Sequence, residues 1–283
     1  MGGRAGTAIV AAASVLIALT ACSSPPARLP SGVEVNVKQY RSDYEVRRLQ
    51  LEVINRGKAP ITITAATFRS ERFTAPIAWH GRPTEVPAGI TRDLPVVLPA
   101  ARCSAAADSP SRVSLSFTLP DGGHGRHTVR ATDTLGDVAR VTGQGCLEEA
   151  VDRIARVEAT ALGVTGDGPH SVAHLTVSIS PTGSGGAFTL ERVAGTVLLQ
   201  PVSGQDWPIG ETVSGTSPAG TVILDIVPNR CDAHAIGEDK VGTLLPVHVS
   251  TPTVADGRFT LPLDGTIRDR LKDFVARHCG FGS

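Results

Sequence analysis

The chain has little lysine, few aromatic residues and almost no methionine. Lys38, Lys58, Lys240 and Lys272 are the only lysines among 283 residues, aromatics make up 4%, and there is a single methionine. With so few rings, a core has to be built from Val, Leu, Ile and Ala. An excess of charge is also missing, with 27 basic against 27 acidic residues. That balance excludes a global field that would recruit nucleic acid, so no nucleic-acid partner is expected. Beyond residue 21 no apolar run approaches the roughly 20 residues of a membrane-spanning helix.

The familiar catalytic patterns are missing too. There is no Cys-x-x-Cys, no His-x-His or His-Glu-x-x-His, no Gly-x-Ser-x-Gly and no Walker-type loop. The eight histidines are scattered, and the Gly-rich stretches at 122–125 and 183–186 read as hairpin turns rather than phosphate cradles. We therefore expect a protein that is not an enzyme and holds no cofactor.

What is present is a duplication. Trp79 precedes Cys103 by 24 positions, and Trp207 precedes Cys231 by the same 24. Gly125-Arg126-His127-Thr128-Val129 leads to Cys146 after 21 positions, and Gly257-Arg258-Phe259-Thr260-Leu261 leads to Cys279 after 22. A tandem repeat of this kind fixes an architecture more firmly than any single motif.

The N-terminus is a targeting segment. Arg4 supplies positive charge, residues 7–21 are apolar, and the run ends in Leu19-Thr20-Ala21-Cys22. This ending resembles the lipobox of bacterial lipoproteins. Arg far outnumbers Lys amid abundant Ala, Gly and Val, a bias of high-GC, actinobacterial-type proteins. The resemblance implies a signal peptide over 1–22 and acylation of the Cys22 thiol with diacylglycerol. It also implies a location at the outer face of the cell membrane, with the membrane itself as a partner. Residues 23–32, rich in Pro and Ser, read as a flexible tether.

Export places the remaining cysteines in an oxidising compartment, where an even set forms disulfides. Three connectivities are open to Cys103, Cys146, Cys231 and Cys279, and the duplication favours Cys103–Cys146 and Cys231–Cys279.

Short alternating runs predict strands at 33–38, 48–54, 61–64, 94–98, 113–119 and 126–131. The second copy predicts them at 157–164, 173–179, 188–190, 195–199, 221–227, 244–250 and 258–263. The fold class is all-β: two tandem immunoglobulin-like antiparallel sandwiches over 33–155 and 156–283, each with a short helical segment. The Trp precedes both cysteines in each copy, so the likeness is to the sandwich class and not to true immunoglobulin domains. A C-terminal helix at 266–278 places Ile267, Leu271, Phe274 and Val275 on one face, capped by Asp264 or Thr266. A weaker helix is expected at 134–141, and a stiff amphipathic connector at 147–156.

Two sets of residues are candidates for binding. The loop after Cys231 holds Asp232, His234 and Glu238, with Asp239 beside them, and these side chains suit a metal ion. The structural alternative is that Asp232 caps a turn. Trp79 and Trp207 are either core residues or exposed stacking platforms for a carbohydrate. The reading as a whole is a non-catalytic envelope lipoprotein that binds an envelope protein or glycan. Its alternatives are a metal-binding or metal-delivering lipoprotein using Asp232, His234 and Glu238, and an envelope hydrolase assembled from distant loops.

Peptide mapping without reduction should recover Cys103 joined to Cys146 and Cys231 joined to Cys279. A peptide pair that crosses the repeats would break the duplication argument.

Overall fold

In the computed structural model, the structure describes residues 2–3, 26–106, 109–232 and 241–281. The chain is all-β, with two α-helices among the described residues. The first copy supplies β1 (Val33–Lys38), β2 (Arg48–Asn55), β3 (Ile61–Arg69), β4 (Ile77–Ala78), β5 (Thr84–Val86), β6 (Thr91–Val97), β7 (Arg112–Thr118) and β8 (His124–Thr132). Helix α1 (Asp137–Asp152) follows. The second copy supplies β9 (Ala155–Thr165), β10 (Val172–Pro181), β11 (Ala187–Ala194), β12 (Leu199–Pro201), β13 (Asp206–Ser214), β14 (Gly220–Pro228), β15 (Pro246–Ser250) and β16 (Gly257–Thr260). Helix α2 (Gly265–His278) ends the fold.

The strand orders of the two halves correspond. The second half has two four-stranded sheets, β12-β14-β10-β9 and β13-β11-β15-β16. In the first half β6-β2-β1 matches the first of these, and β3-β7-β8, with β4 and β5 on the far edge of β3, matches the second. A short parallel pairing of β1 with β8, at Val35–Ala131 and Asn36–Thr132, joins the two layers into one eight-stranded sheet. Each half encloses its own apolar core. One core is built on Leu49, Leu51, Ile63, Phe68, Leu94, Leu115 and Phe117, the other on Leu175, Phe188, Leu190, Val247, Leu271 and Phe274. Inward residues alternate with outward polar ones, as a half-buried strand requires.

Both disulfides fall within a half, Cys103 with Cys146 and Cys231 with Cys279, at Cα separations of 5.4 and 5.1 Å. Each pins a loop to a helix. Closing loops of this length contributes about 4 kcal/mol apiece in the chain-entropy account. Helix α2 forms as its periodicity predicts: Asp264 caps the Ile267 amide at 2.7 Å, and Ile267, Leu271, Phe274 and Val275 are buried.

The structure corrects three expectations. The segments at 134–141 and 147–156 are not a weak helix and a separate connector, because α1 runs unbroken through Gly143 and Gly145. Each of those glycines costs about 1 kcal/mol in a helix interior, and packing at both ends outweighs them. Val138 and Val141 lie in the first core, while Leu147 and Val151 lie in the second. At the N-terminal end, Asp133 accepts from the amides of Asp137 and Val138 at 2.7 and 3.0 Å, supplying the cap that Gly136 lacks.

The described part of the expected tether, 26–32, is packed against the first half. The Ala27 amide donates to the His124 carbonyl at 2.9 Å, and Ala27 and Leu29 cover the core. Finally, most of 195–199 is a bend. Thr196 turns the chain by accepting from the amides of Leu198 and Leu199, and a Cβ on Gly195 would lie 2.3 Å from the Gln205 carbonyl oxygen.

Because α1 completes the second core, Leu147→Ala should destabilise the second half by about 2–5 kcal/mol, the usual cost of emptying a buried leucine site. In a Trp79→Phe background the fluorescence of Trp207 reports on that half alone. An unshifted denaturation midpoint would show that α1 is not part of that core.

Candidate functional site

The residues singled out by sequence do not converge on one site. Cys22, His234, Glu238 and Asp239 lie outside the described residues. Asp232 faces Arg230, with Nη2 to Oδ2 at 3.3 Å. Trp79 and Trp207 are buried, at 8% and 6% exposure, which removes the stacking-platform reading. Trp207 donates from Nε1 to the Asp225 carbonyl at 3.0 Å, and the Trp79 ring lies so close over Gly81 that a Cβ there would be 2.3 Å from it. They are core pieces at matching positions: Trp79 bonds through its amide to Ala66 of β3, and Trp207 pairs with Val193 of β11.

Strand register instead assembles two histidine clusters. On the outer face of β9, β10 and β14, His174 Nδ1 meets Asp225 Oδ1 at 2.7 Å, and its Nε2 meets Thr165 Oγ1 at 2.7 Å. The carboxylate fixes which ring nitrogen carries the proton. The three partners are solvent-facing strand residues, and the arrangement serves as a cross-strand clamp.

In the second cluster His248 Nδ1 lies 2.8 Å from Asp256 Oδ1, and Arg192 reaches both Asp256 and Asp206 at 3.2 Å. Arg192 Nη2 also lies 2.9 Å from His248 Nδ1. Nδ1 cannot accept from the guanidinium while it donates to Asp256, so the carboxylate is the partner that governs its proton. The bond from His248, reinforced by Arg192, holds the Asp256 carboxyl below the usual carboxylate range. Neither cluster was legible from the sequence: His174 and Asp225 are 51 positions apart and joined only by the β10–β14 register, and Arg192 is 56 positions from His248 and brought to it by the β11–β15 register.

Between the halves lies a cleft of about 240 Å³ lined by Tyr44, Arg47, Arg140, Glu148, Phe259 and Arg268. An ion pair from Arg268 of α2 to Glu45 crosses it. Arg47 lies 3.7 Å from Glu148, and the Arg140 guanidinium stacks 4.9 Å from the Tyr44 ring centroid. Burial pushes the Glu148 carboxyl up, against the pull of Arg47. Arg268 and Arg47 are thus paired with carboxylates at the junction, while Arg268 Nε is buried without a hydrogen-bond partner among the described residues. A broader concavity of about 670 Å³ lies beside the first disulfide, with Arg69, Arg102, Arg112 and Glu71 in its wall.

No family model matches the chain, and no curated protein matches it. Among solved structures, a YadV chaperone is 14% identical, with 80% of this chain and 97% of that one covered at a TM-score of 0.23. The Pseudomonas aeruginosa CupB2 chaperone is 13% identical over 76% and 90%, at 0.21. A red sea bream transglutaminase is 15% identical over 84% of this chain and 32% of that one, at 0.22. At such scores these likenesses carry no argument about function.

The His248–Asp256 contact generates a pH dependence. A carboxyl whose folded pKa is lowered contributes stability above its unfolded value of about 4, and that stability is lost as pH falls through the folded value. Asp256 sits at a positive φ of 49°, which Asn also tolerates. The melting-temperature gap between wild type and Asp256→Asn should therefore be widest near neutrality and close in acid. A gap that stays constant down to low pH would show that the ionised carboxylate does not contribute.

Proposed function

We propose that the chain is a bacterial envelope lipoprotein, held at the outer face of the cell membrane by acyl chains on Cys22. Its two halves, read as immunoglobulin-like sandwich domains, act as a non-catalytic binding module for an envelope protein or glycan. The observation that carries this reading is the apolar run at 7–21 ending in Leu19-Thr20-Ala21-Cys22. Two acyl chains give stable anchoring where a single one is marginal. Two intact disulfides suit an oxidising compartment. A pair of halves joined by one helix presents its surfaces in a constant relative orientation, which favours a binding role.

The test is Cys22→Ser. The variant should lose the acylated N-terminal peptide by mass spectrometry and shift from the membrane fraction when cells are fractionated. An acylated, membrane-bound product from the variant would end the lipoprotein reading, because no other residue supplies the thiol at that position.

A further inference from the structure

The outer face of β3, β7 and β8 carries a row of like charges. Arg69 of β3 lies directly opposite Arg112 of β7, which lies directly opposite Arg130 of β8. Like charges facing each other across strands are destabilising. Two positions along the same face, Thr67, Ser114 and Thr128 form a hydroxyl row, with Ser114 and Thr128 joined at 2.8 Å. Further along come Ser116 with Arg126, then Thr118 with His124. The three strands contain no carboxylate. Among the described residues, the side chains of Arg69, Arg112, Arg126 and Arg130 make no ion pair or hydrogen bond. Acids flank the row without an ion pair to it: Glu71 shares the wall of the concavity with Arg69 and Arg112 but accepts from Ser109, Glu85 lies on β5 opposite Thr62, and Asp121 is in the β7–β8 turn.

The other layer of this half does carry acids on its strands, with Glu34, Glu52 and Asp93 on β1, β2 and β6. The matching face of the second half is neutralised, since Arg192 of β11 is held by Asp206 and Asp256. An overall neutral chain has thus gathered on one sheet face arginines that make no ion pair among the described residues.

We propose that this face docks on a bilayer surface bearing anionic lipid headgroups, its hydroxyls and guanidiniums contacting phosphate oxygens. Two observations select that occupant. The first is charge complementarity over an open face of three strands, roughly 10 Å across, that borders the broad concavity beside Arg69 and Arg112. The second is the route of the chain: Ala27 bonds to His124 of β8, the edge of this layer, and lies only five positions beyond Cys22. Five steps of chain reach at most about 18 Å. The inference deepens the anchored reading and rests on it for the nearness of the bilayer. Acyl chains and a basic patch together form the two-signal arrangement that holds proteins at membranes.

The experiment measures partitioning of the full chain onto vesicles of phosphatidylcholine alone and of phosphatidylcholine mixed with phosphatidylglycerol. Wild type should bind the mixed vesicles more tightly, and added salt should remove the difference. Replacing Arg69→Gln, Arg112→Gln and Arg130→Gln together should lower binding to mixed vesicles on the order of a hundredfold, about fivefold per charge, and leave neutral vesicles unchanged. A control with Arg56→Gln and Arg92→Gln, on the other layer, should bind as wild type. Neutral-vesicle binding reads the anchor alone and the ratio reads the arginines, so the two can fail separately. The proposal is overturned if the triple variant keeps the wild-type ratio, if the control loses as much, or if the face takes soluble polyphosphate and not mixed vesicles.

Discussion

The structure depends on a helix shared by two cores. Helix α1 gives Val138 to the first half and Leu147 and Val151 to the second, and Cys146 between them is tied to Cys103. Its start is locked by polar contacts. Asp137 accepts from the Gln39 amide at 2.8 Å, and Arg140 bridges Asp137 and the Gln39 side chain. These groups are part-buried and charge-assisted, so they hold the helix more firmly than surface pairs do. Relative motion of the halves would have to pull α1 out of one core, which costs far more than bending a loop. The junction pairs Arg268–Glu45 and Arg47–Glu148 then set the angle rather than supply the adhesion.

The duplicated glycines show how each half accepts the segment that precedes it. A Cβ on Gly125 would lie 2.1 Å from the Ala27 carbonyl oxygen, and a Cβ on Gly257 would lie 2.7 Å from Leu147 Cδ2. At equivalent points on β8 and β16, therefore, the side chain is absent because the lead-in chain lies there. Segment 26–29 stands to the first half as the end of α1 stands to the second. This explains in one step why residues read as a loose tether are packed, and why a stretch read as a connector belongs to a core.

Alternation made most strands legible, and period 3.6 made α2 legible, down to the four residues it buries. The strands that bear the tryptophans' neighbourhoods were hidden. In β13 the run Trp207-Pro208-Ile209-Gly210 breaks alternation, and Gly210 takes a positive φ of 67° where the β11–β13 register shifts. The first half repeats this irregularity on β3, between Ile63 and Ala65. A bulge kept in both copies at the layer's centre defeats a period-two reading while preserving the fold. Helix α1 was hidden for the opposite reason, since Gly143 and Gly145 weaken it locally and only tertiary packing restores it. The candidate sites fared worse than the fold. The exposure of a tryptophan and the partners of a histidine depend on contacts between strands far apart in sequence.

The two halves share a frame and differ in their faces. Topology, bulge, buried tryptophan, close-approach glycine and loop-to-helix disulfide recur because each is held by the core, where a change costs several kcal/mol. Outward strand positions carry no such constraint. On the layer of β3, β7 and β8 they carry arginines and hydroxyls with no ion pair among the described residues. On the matching layer of the second half, Arg192, Asp206, His248 and Asp256 form a closed network. Repulsion along an open arginine row is a standing cost to the folded chain, whereas the closed network has none. A single carboxylate on β7 would relieve that repulsion, and the lack of one on all three strands is the ground for the docking on anionic lipid proposed above.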